Sequence, residues 1–338
     1  MLRELVGLLP FVPFMVTSAT IKRLAFSAGF DLCGIAKPAV IPKARAAYER
    51  WLVAGYHGDM AYLAKDPQRR TDPTQVMEGA CSIIMLGLNC YQTNSEQVPP
   101  GHGRVARYAR GKDYHKVAAR KIKTLIRTIE EAAGEAGWPQ CRWFVDFGPV
   151  RERVYAEKAG LGFIGKNGML TNKDFGSWIL LCEIITTLEL EPDECNPTVH
   201  GRCGSCRKCI EACPTGAILS PRKIDSRRCL SYLTIERPSE IPDELAMCMG
   251  DLVFGCDICQ EVCPYNRMPV VTTHAEFKPE NGVGEFLDLD KIISLQSPEE
   301  FLALTSGTPL TRPGLDGLKR SAEIVLRNQS SRKQDTQE

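Results

Sequence analysis

The chain lacks an excess of either charge: across 338 residues, 42 Lys and Arg face 41 Asp and Glu, a formal net charge of +1. Overall electrostatics therefore names no nucleic acid, membrane surface or acidic substrate as partner. It also lacks a hydrophobic run long enough to span a bilayer. The apolar stretch 5–16 is too short and carries Pro10 and Pro13. With a single Arg3 before it and Thr17-Ser18-Ala19 after it, the stretch imitates a signal peptide. The expectation is instead a loose extension, or an early start with Met15 as the true first residue, in a cytoplasmic protein. A twin-arginine export signal is absent. Hydrophobic residues at 43% and charged residues at 25% exclude disordered and fibrous classes. The length suggests about two domains and is ample for a buried core.

Cysteine is what the chain has in abundance, 15 in all. Cys203-x2-Cys206-x2-Cys209-x3-Cys213-Pro214 has the spacing of a bacterial ferredoxin run, whose fourth cysteine serves the other cluster of a pair. Cys256-x2-Cys259-x3-Cys263-Pro264 repeats the last three, with Val253 where a first would stand. Reciprocity gives one 4Fe–4S cluster Cys203, Cys206, Cys209 and Cys263. The second takes Cys213, Cys256 and Cys259 and is one ligand short. Cys229 and Cys248 are both candidates, and spacing does not choose between them. Paired zinc sites are the competing reading, but zinc does not call for three equally spaced cysteines plus a distant Cys-Pro. A disulfide scaffold is excluded, because those are short secreted chains without a core of their own. Two such clusters pass one electron each, so this half reads as a wire. A bare carrier would need little more than the block, yet a whole domain precedes it.

That first part alternates strands and helices, which indicates an α/β domain. Helices are expected over 18–29, 42–54, 113–136 (stopping at Gly137) and 149–159. Strands are expected over 31–35, 80–88, 141–146 and 177–187. An acidic linker over 191–197 precedes the cysteine block. A short helical segment follows from 286, and the polar end 327–338 is expected to be disordered. The resulting boundaries are 1–17, 18–195, 196–280 and 281–338.

Asp146 ends an apolar strand just before Gly148-Pro149, at the strand edge where α/β domains place ligands. Walled by Trp143, Phe144 and Phe147, it reads as a general acid with a raised pKa. The alternative is a helix N-cap. Gly160-Leu-Gly162-Phe-Ile-Gly165 matches G-x-G-x-x-G but follows a helix, so a dinucleotide site is not expected. The 160–168 loop is either an ordinary tight turn or a wall against a flat cofactor. Asp113-Tyr-His115 approaches a cobalt-supplying histidine signature, but Ala118 replaces its glycine; His115 and His57 are expected on the surface. Cys33, Cys81, Cys90, Cys141 and Cys182 are expected as buried inert thiols. Between 101 and 128, nine basic residues (Arg104, Arg107, Arg110, Lys112, Lys116, Arg120, Lys121, Lys123, Arg127) face one acid, Asp113. Solvated faces normally mix signs, so this one suggests a phosphate-rich partner, with Lys223, Arg227 and Arg228 extending it.

Seven ordered motifs resemble the epoxyqueuosine reductases, cobalamin-dependent iron–sulfur enzymes that finish queuosine in tRNA. They are His57-Gly-Asp-Met-Ala-Tyr-Leu63, Arg69-Arg-Thr-Asp-Pro73, Arg107-Tyr-Ala-Arg-Gly-Lys-Asp-Tyr-His115, Val145-Asp146-Phe-Gly-Pro149, Glu157-Lys-Ala-Gly-Leu-Gly-Phe-Ile-Gly-Lys-Asn167, Arg228-Cys-Leu-Ser-Tyr-Leu-Thr-Ile-Glu236 and Gly255-Cys-Asp-Ile-Cys-Gln-Glu-Val-Cys-Pro264. The resemblance runs from position 21 to 328. It implies an α/β (α+β) cobalamin-binding catalytic domain, a ferredoxin-like domain with two 4Fe–4S clusters, and a short helical tail. Asp146 would be the proton donor and Cys229 the missing ligand, leaving Cys248 free. Cobalamin would be lined by Arg69, Arg70, Tyr108, Ala109, Asp146, Lys166, Asn167, Leu170, Leu181 and Ser226, with no histidine ligand from below. Contacts to tRNA would fall on Arg104, Arg107, Lys112, Lys116, Arg120, Lys123 and Arg227.

The implied reaction is a two-electron deoxygenation of an epoxide on the tRNA wobble nucleotide. An external one-electron donor feeds the clusters, and Asp146, protonated through burial, gives its proton to the leaving oxygen. A monomer with no membrane partner is expected. Two other readings compete: a different cobalamin iron–sulfur reductase such as a reductive dehalogenase, and a non-catalytic carrier that binds RNA. The chain departs from the family at Phe147, where Thr or Ser is common, in its apolar N-terminal stretch, and in ending where many members add a helical-repeat domain.

Overall fold

Four apolar stretches build the central sheet of the computed structural model, which describes residues 16–134, 139–194 and 201–335. The strand order is Leu32–Ala36, Ser82–Asn89, Ile179–Thr186, Cys141–Phe144, and every neighbouring pair runs antiparallel. The domain is thus mixed α/β, but without the parallel sheet that alternating strands and helices suggest. Apolar runs covered on both faces look alike in either pairing direction, so sequence did not encode the difference. Ile84, Leu86 and Leu88 face the helices Ser18–Ser27 and Tyr114–Ala133, among Ile21, Ile122, Leu125 and Ile129. Ile83 and Met85 face the opposite side, with Leu181, Ile185 and the helix Glu152–Lys158. Each such side chain contributes about 1.5–3 kcal/mol on burial. Between Leu181 and Ile185 on that second face lies a fully buried carboxyl, Glu183.

Local signals place the helices. Thr17 caps the first helix by accepting from the Thr20 N–H, and Pro42 opens the helix Pro42–Val53. Asp113 caps the long helix Tyr114–Ala133 by accepting from the His115 N–H at 3.0 Å. The expected stop of that helix, Gly137, lies outside the described residues, as do positions 1–15 and the end of the expected linker, 195–197.

A second sheet ties the cysteine block to both ends of the molecule. His102–Val105 pairs in parallel with Leu252–Phe254 and antiparallel with Phe286–Asp288. One core holds Val105, Leu233, Val253, Leu287 and Leu318 together. The expected disorder is corrected for residues 327–335, through which the helix Gly314–Asp335 continues; the last three positions of that expectation lie outside the described residues. Leu318, Ala322 and Val325 bury one face. Arg327 pairs with Asp243 at 3.2 Å, Gln329 donates to His102 O at 2.8 Å, and Arg332 pairs with Asp251. The polar composition of this segment hid those long-range partners. Among the described residues no helix is long and apolar enough to cross a membrane.

Candidate functional site

Asp146 lies two residues past the strand Cys141–Phe144, with φ at +61° in the left-handed region. Asp tolerates that conformation better than most side chains. The turn is tight. Phe147 N–H donates to Val145 O at 2.6 Å, Asp146 N–H donates to Glu152 Oε1 at 2.7 Å, and Arg70 donates to Gly148 O at 3.2 Å. Gly148 is required by close approach, since a Cβ there would meet Phe144 Cβ at 2.6 Å and Glu183 Oε1 at 3.0 Å. This geometry presents the Asp146 side chain outward, 57% exposed, beside the exposed ring of Phe147.

His115 faces that carboxylate. Its Nε2 lies 3.6 Å from Asp146 Oδ2, an ion pair rather than a hydrogen bond, while Nδ1 lies 2.7 Å from Asp113 Oδ1. The ring is sandwiched between Tyr114 (4.0 Å, 28°) and Phe147 (4.7 Å, 22°). Burial pulls the imidazole down, but the Asp113 and Asp146 carboxylates outweigh it and push it up to about 9. Desolvation raises Asp146, yet His115 and the Tyr114 hydroxyl hold its carboxyl below the ordinary value. Near neutrality the proton therefore sits on the imidazole, between two charged carboxylates.

Three expectations are corrected here. Asp146 is not protonated through burial, because its side chain is open to solvent and faces a cation. His115 is not a surface residue but the partner of Asp146. Nor does Asp146 cap a helix: Arg151 holds the cap position of Glu152–Lys158, without a side-chain cap bond. The signal that finds His115 is an N-cap aspartate two residues before a histidine, which lets one carboxylate hold both the backbone and the ring.

In the cysteine block, Cys209 has the thiols of Cys203, Cys263 and Cys206 as charge neighbours. Cys229 is brought together with Cys213, Cys256 and Cys259. Cys248 Sγ instead donates to the carbonyls of Glu244 (3.3 Å) and Pro214 (3.5 Å). Among the described residues no group of three or more His, Cys, Asp or Glu side chains is placed to hold a single metal ion. Thiols gathered in two adjoining sets are the donor chemistry that 4Fe–4S clusters take. The glycine loop docks on both. Lys166 N–H donates to Cys203 Sγ at 3.4 Å and its Nζ to Gly204 O and Cys206 O at 2.8 Å. Asn167 Nδ2 lies 3.9 Å from Cys259 Sγ. The heads of Lys166 and Asn167 thus engage the cluster loops. Elsewhere Cys90 and Cys182 are buried, Cys33 and Cys141 are half-buried, and Cys81 is exposed, which corrects its expected burial.

The other residues expected to line cobalamin scatter around this site. Arg70 braces the Asp146 turn, Tyr108 packs edge-on against Tyr114 at 6.0 Å, and Ser226 N–H donates to Tyr56 O at 3.0 Å. Ala109, Leu170 and Leu181 lie buried in the cores. Arg69 Nε and His57 Nδ1 are buried without a hydrogen-bond partner. Such orphaned polar atoms fit a large amide-bearing cofactor.

The basic stretch divides in two. Arg107 is buried: it donates to Gln92 O at 2.8 Å, pairs with Glu261 at 2.8 Å and Asp257 at 3.3 Å, and lies 4.5 Å over the Trp178 ring. Arg104 pairs with Glu285, and Arg110 is fully buried. These arginines are therefore not free for phosphate, a correction for Arg104 and Arg107; acids distant in sequence neutralise them. Lys116, Arg120, Lys123 and Arg127 line a shallow open depression of about 510 Å³ on the long helix, where Arg120 pairs with Glu276 at 2.6 Å and Arg127 with Glu131 at 3.8 Å, both arginines remaining exposed. Lys112 is also exposed. Arg227 is half-exposed and pairs with Asp225 at 2.8 Å.

A ferredoxin-spaced cysteine block in one chain with an imidazole–carboxylate site defines an iron–sulfur oxidoreductase. Residues 202–266 match the family model described as a 4Fe-4S double cluster binding domain, and residues 70–147 match "Epoxyqueuosine reductase QueG, DUF1730". Epoxyqueuosine reductase of Leadbetterella byssophila is 40% identical over 308 residues, covering 91% of this chain and 98% of that one. Its counterpart in Gloeobacter violaceus is 41% identical over 318 residues, covering 92% and 96%. The chain belongs to the epoxyqueuosine reductase family. A solved epoxyqueuosine reductase bound to an epoxyqueuosine-modified tRNA-Tyr stem loop matches with TM-score 0.82 and 28% identity, covering 92% of this chain and 81% of that one. The Bacillus subtilis epoxyqueuosine reductase, solved with its catalytic aspartate loop swung out of the active site, also matches with TM-score 0.82 and 28% identity, over 93% and 82%.

Proposed function

We propose that this chain reduces the epoxide of epoxyqueuosine in tRNA to the alkene of queuosine, consuming two electrons and two protons and releasing water. The observation that carries this reading is the Asp113–His115–Asp146 array at the open turn. His115 stores a proton near neutrality, and the exposed Asp146 carboxylate beside it passes that proton to the leaving epoxide oxygen. Phe147 and Tyr62, each with the Arg312 guanidinium 5.6 Å over its ring, form an aromatic and cationic rim suited to a flat base turned out of its stack. Cys203, Cys206, Cys209 and Cys263 would hold one cluster; Cys213, Cys229, Cys256 and Cys259 the other. Arg69, Arg70, Tyr108, the Asp146 turn, Ser226 and the loop through Leu170 would hold cobalamin. When bound, these groups supply the electrons, one at a time through the clusters, and the strongly reducing centre for the substrate carbon.

Lys112, Lys116, Arg120 and Lys123, with Arg127, support contact with tRNA phosphates, and Arg227 extends them near the clusters. The enzyme acts as a cytoplasmic monomer and draws on an external one-electron donor. Nucleoside mass analysis of tRNA from a strain lacking this chain tests the reading. Epoxyqueuosine should accumulate and queuosine vanish. Unchanged queuosine, in a strain with no second reductase, would overturn it.

A further inference from the structure

Glu183 has no part in the chemistry above, yet it occupies the middle of the central sheet, opposite Met85 on one side and Phe144 on the other. It is fully buried, and both carboxyl oxygens lack a hydrogen-bond partner. Its Oε1 lies directly beneath the Asp146 turn, where a Cβ on Gly148 would meet it at 3.0 Å. The neighbouring acid is Glu152, whose Oε1 accepts the Asp146 N–H at 2.7 Å. Two ionised carboxylates cannot donate to each other. One shared proton turns the contact into a hydrogen bond and gives the orphaned oxygens a partner.

We propose that Glu152 and Glu183 form a proton-sharing carboxyl pair that holds the Asp146 turn in its left-handed, His115-facing conformation, with Glu152 as the positioning residue and Glu183 as its brace. The proposal rests on the reading of Asp146 as proton donor. Other charged or titratable groups facing the pair are Asp146 on the turn, Arg153 on the Glu152 helix, Cys182 on the Glu183 strand and Tyr114 on the long helix. Arg153, the one cation of that set, is exposed and donates to Gly168 O. Burial, and then the Asp146 charge, push Glu152 up to about 8, while burial and the Glu152 charge push Glu183 well above the ordinary carboxyl value, so the pair keeps a proton near neutrality. It is a clamp rather than a relay, because its link to Asp146 is a main-chain N–H, which does not titrate. A carboxyl buried without partners destabilises a fold, and its retention under a reactive turn is what a positioning role requires.

Steady-state kinetics of the holoenzyme on an epoxyqueuosine-modified stem loop, with thermal midpoints measured in parallel, tests the pair. E152A should lower kcat about 10–100-fold while KM stays within about twofold. E152Q should recover most of that loss, because the amide oxygen still accepts from Asp146 N–H and the amide nitrogen donates to Glu183. E183M should lose kcat like E152A without a lower thermal midpoint, since it replaces a buried acid with an apolar side chain of similar size. Wild-type kcat in E152A or E183M would overturn the proposal, as would an E152Q no better than E152A. D146N separates the two levels of inference. If D146N retains turnover, the proton-donor reading has failed; if D146N is inactive while E152A is normal, only the pair has failed.

Discussion

The cysteine block and the Asp146 turn hold charge in opposite ways. In the cysteine block, burial pushes the Cys259 thiol up to about 12 and neighbouring thiols raise it further, so that thiol is neutral near pH 7. At the turn, charge is already in place: the His115 imidazolium stands between two carboxylates, all supplied by the chain. The electron side of the enzyme thus waits on bound groups, whereas the proton side is complete in the polypeptide. Within the cysteine block, Lys166 and Asn167 bridge the two sets of thiols, because one glycine loop touches a thiol of each.

The sharpest way to break this contrast is to remove one thiol. C229S should lose one cluster, with half of the iron and all turnover, while C248S keeps both; equal iron in the two variants would contradict the ligand assignment. Next in size is Arg107. R107M should destabilise the fold by about 3–5 kcal/mol, because it leaves Asp257 buried without its cation. Urea unfolding reads this, and a variant with wild-type stability but weakened RNA binding would return Arg107 to the interface.

On the proton side, turnover should stay level through neutrality and fall as pH climbs through about 9, where His115 loses its proton. H115N should abolish that limb and lower kcat about 100-fold. The same proton carries a stability signature. Because the folded value lies above the ordinary imidazole value of about 6.5, the ion pair stabilises fully below that and loses its effect as pH rises through about 9. The gap in thermal midpoint between wild type and H115N should therefore close on going from pH 6 to alkaline buffer. The smallest effect belongs to the exposed basic face. K123E should weaken stem-loop binding several-fold and lower the salt slope by about one; an unchanged slope would remove Lys123 from the phosphate contacts.

The two regions also differ in how far sequence reveals them. Ferredoxin spacing is legible because Cys203, Cys206 and Cys209 of one set lie within one short loop, and Cys256 and Cys259 of the other within a second. Cys229 is not, because it stands at the start of a separate helix, Leu230–Ile235, and only folding brings it to Cys213. Asp146 was legible as an acid at a strand end, but its charge was not, since that depends on a histidine from another helix. Local counting failed in the same way for Arg104 and Arg107, whose neutralising acids, Glu285, Asp257 and Glu261, come from far along the chain. The apolar strands were readable from their runs, and their antiparallel pairing was not. The tail from 327 reads as disordered in sequence because its partners, Asp243 and Asp251, lie in the block.

The central claim is that Asp146 passes a proton held by His115 to the substrate oxygen. Its most direct test is mass-spectrometric conversion of an epoxyqueuosine-modified stem loop by anaerobically purified wild type and D146N, both carrying full cobalamin and iron–sulfur spectra. Wild type should yield queuosine, and D146N should be slower by about 10²–10⁴-fold with its spectra intact. Conversion by D146N at the wild-type rate would contradict it.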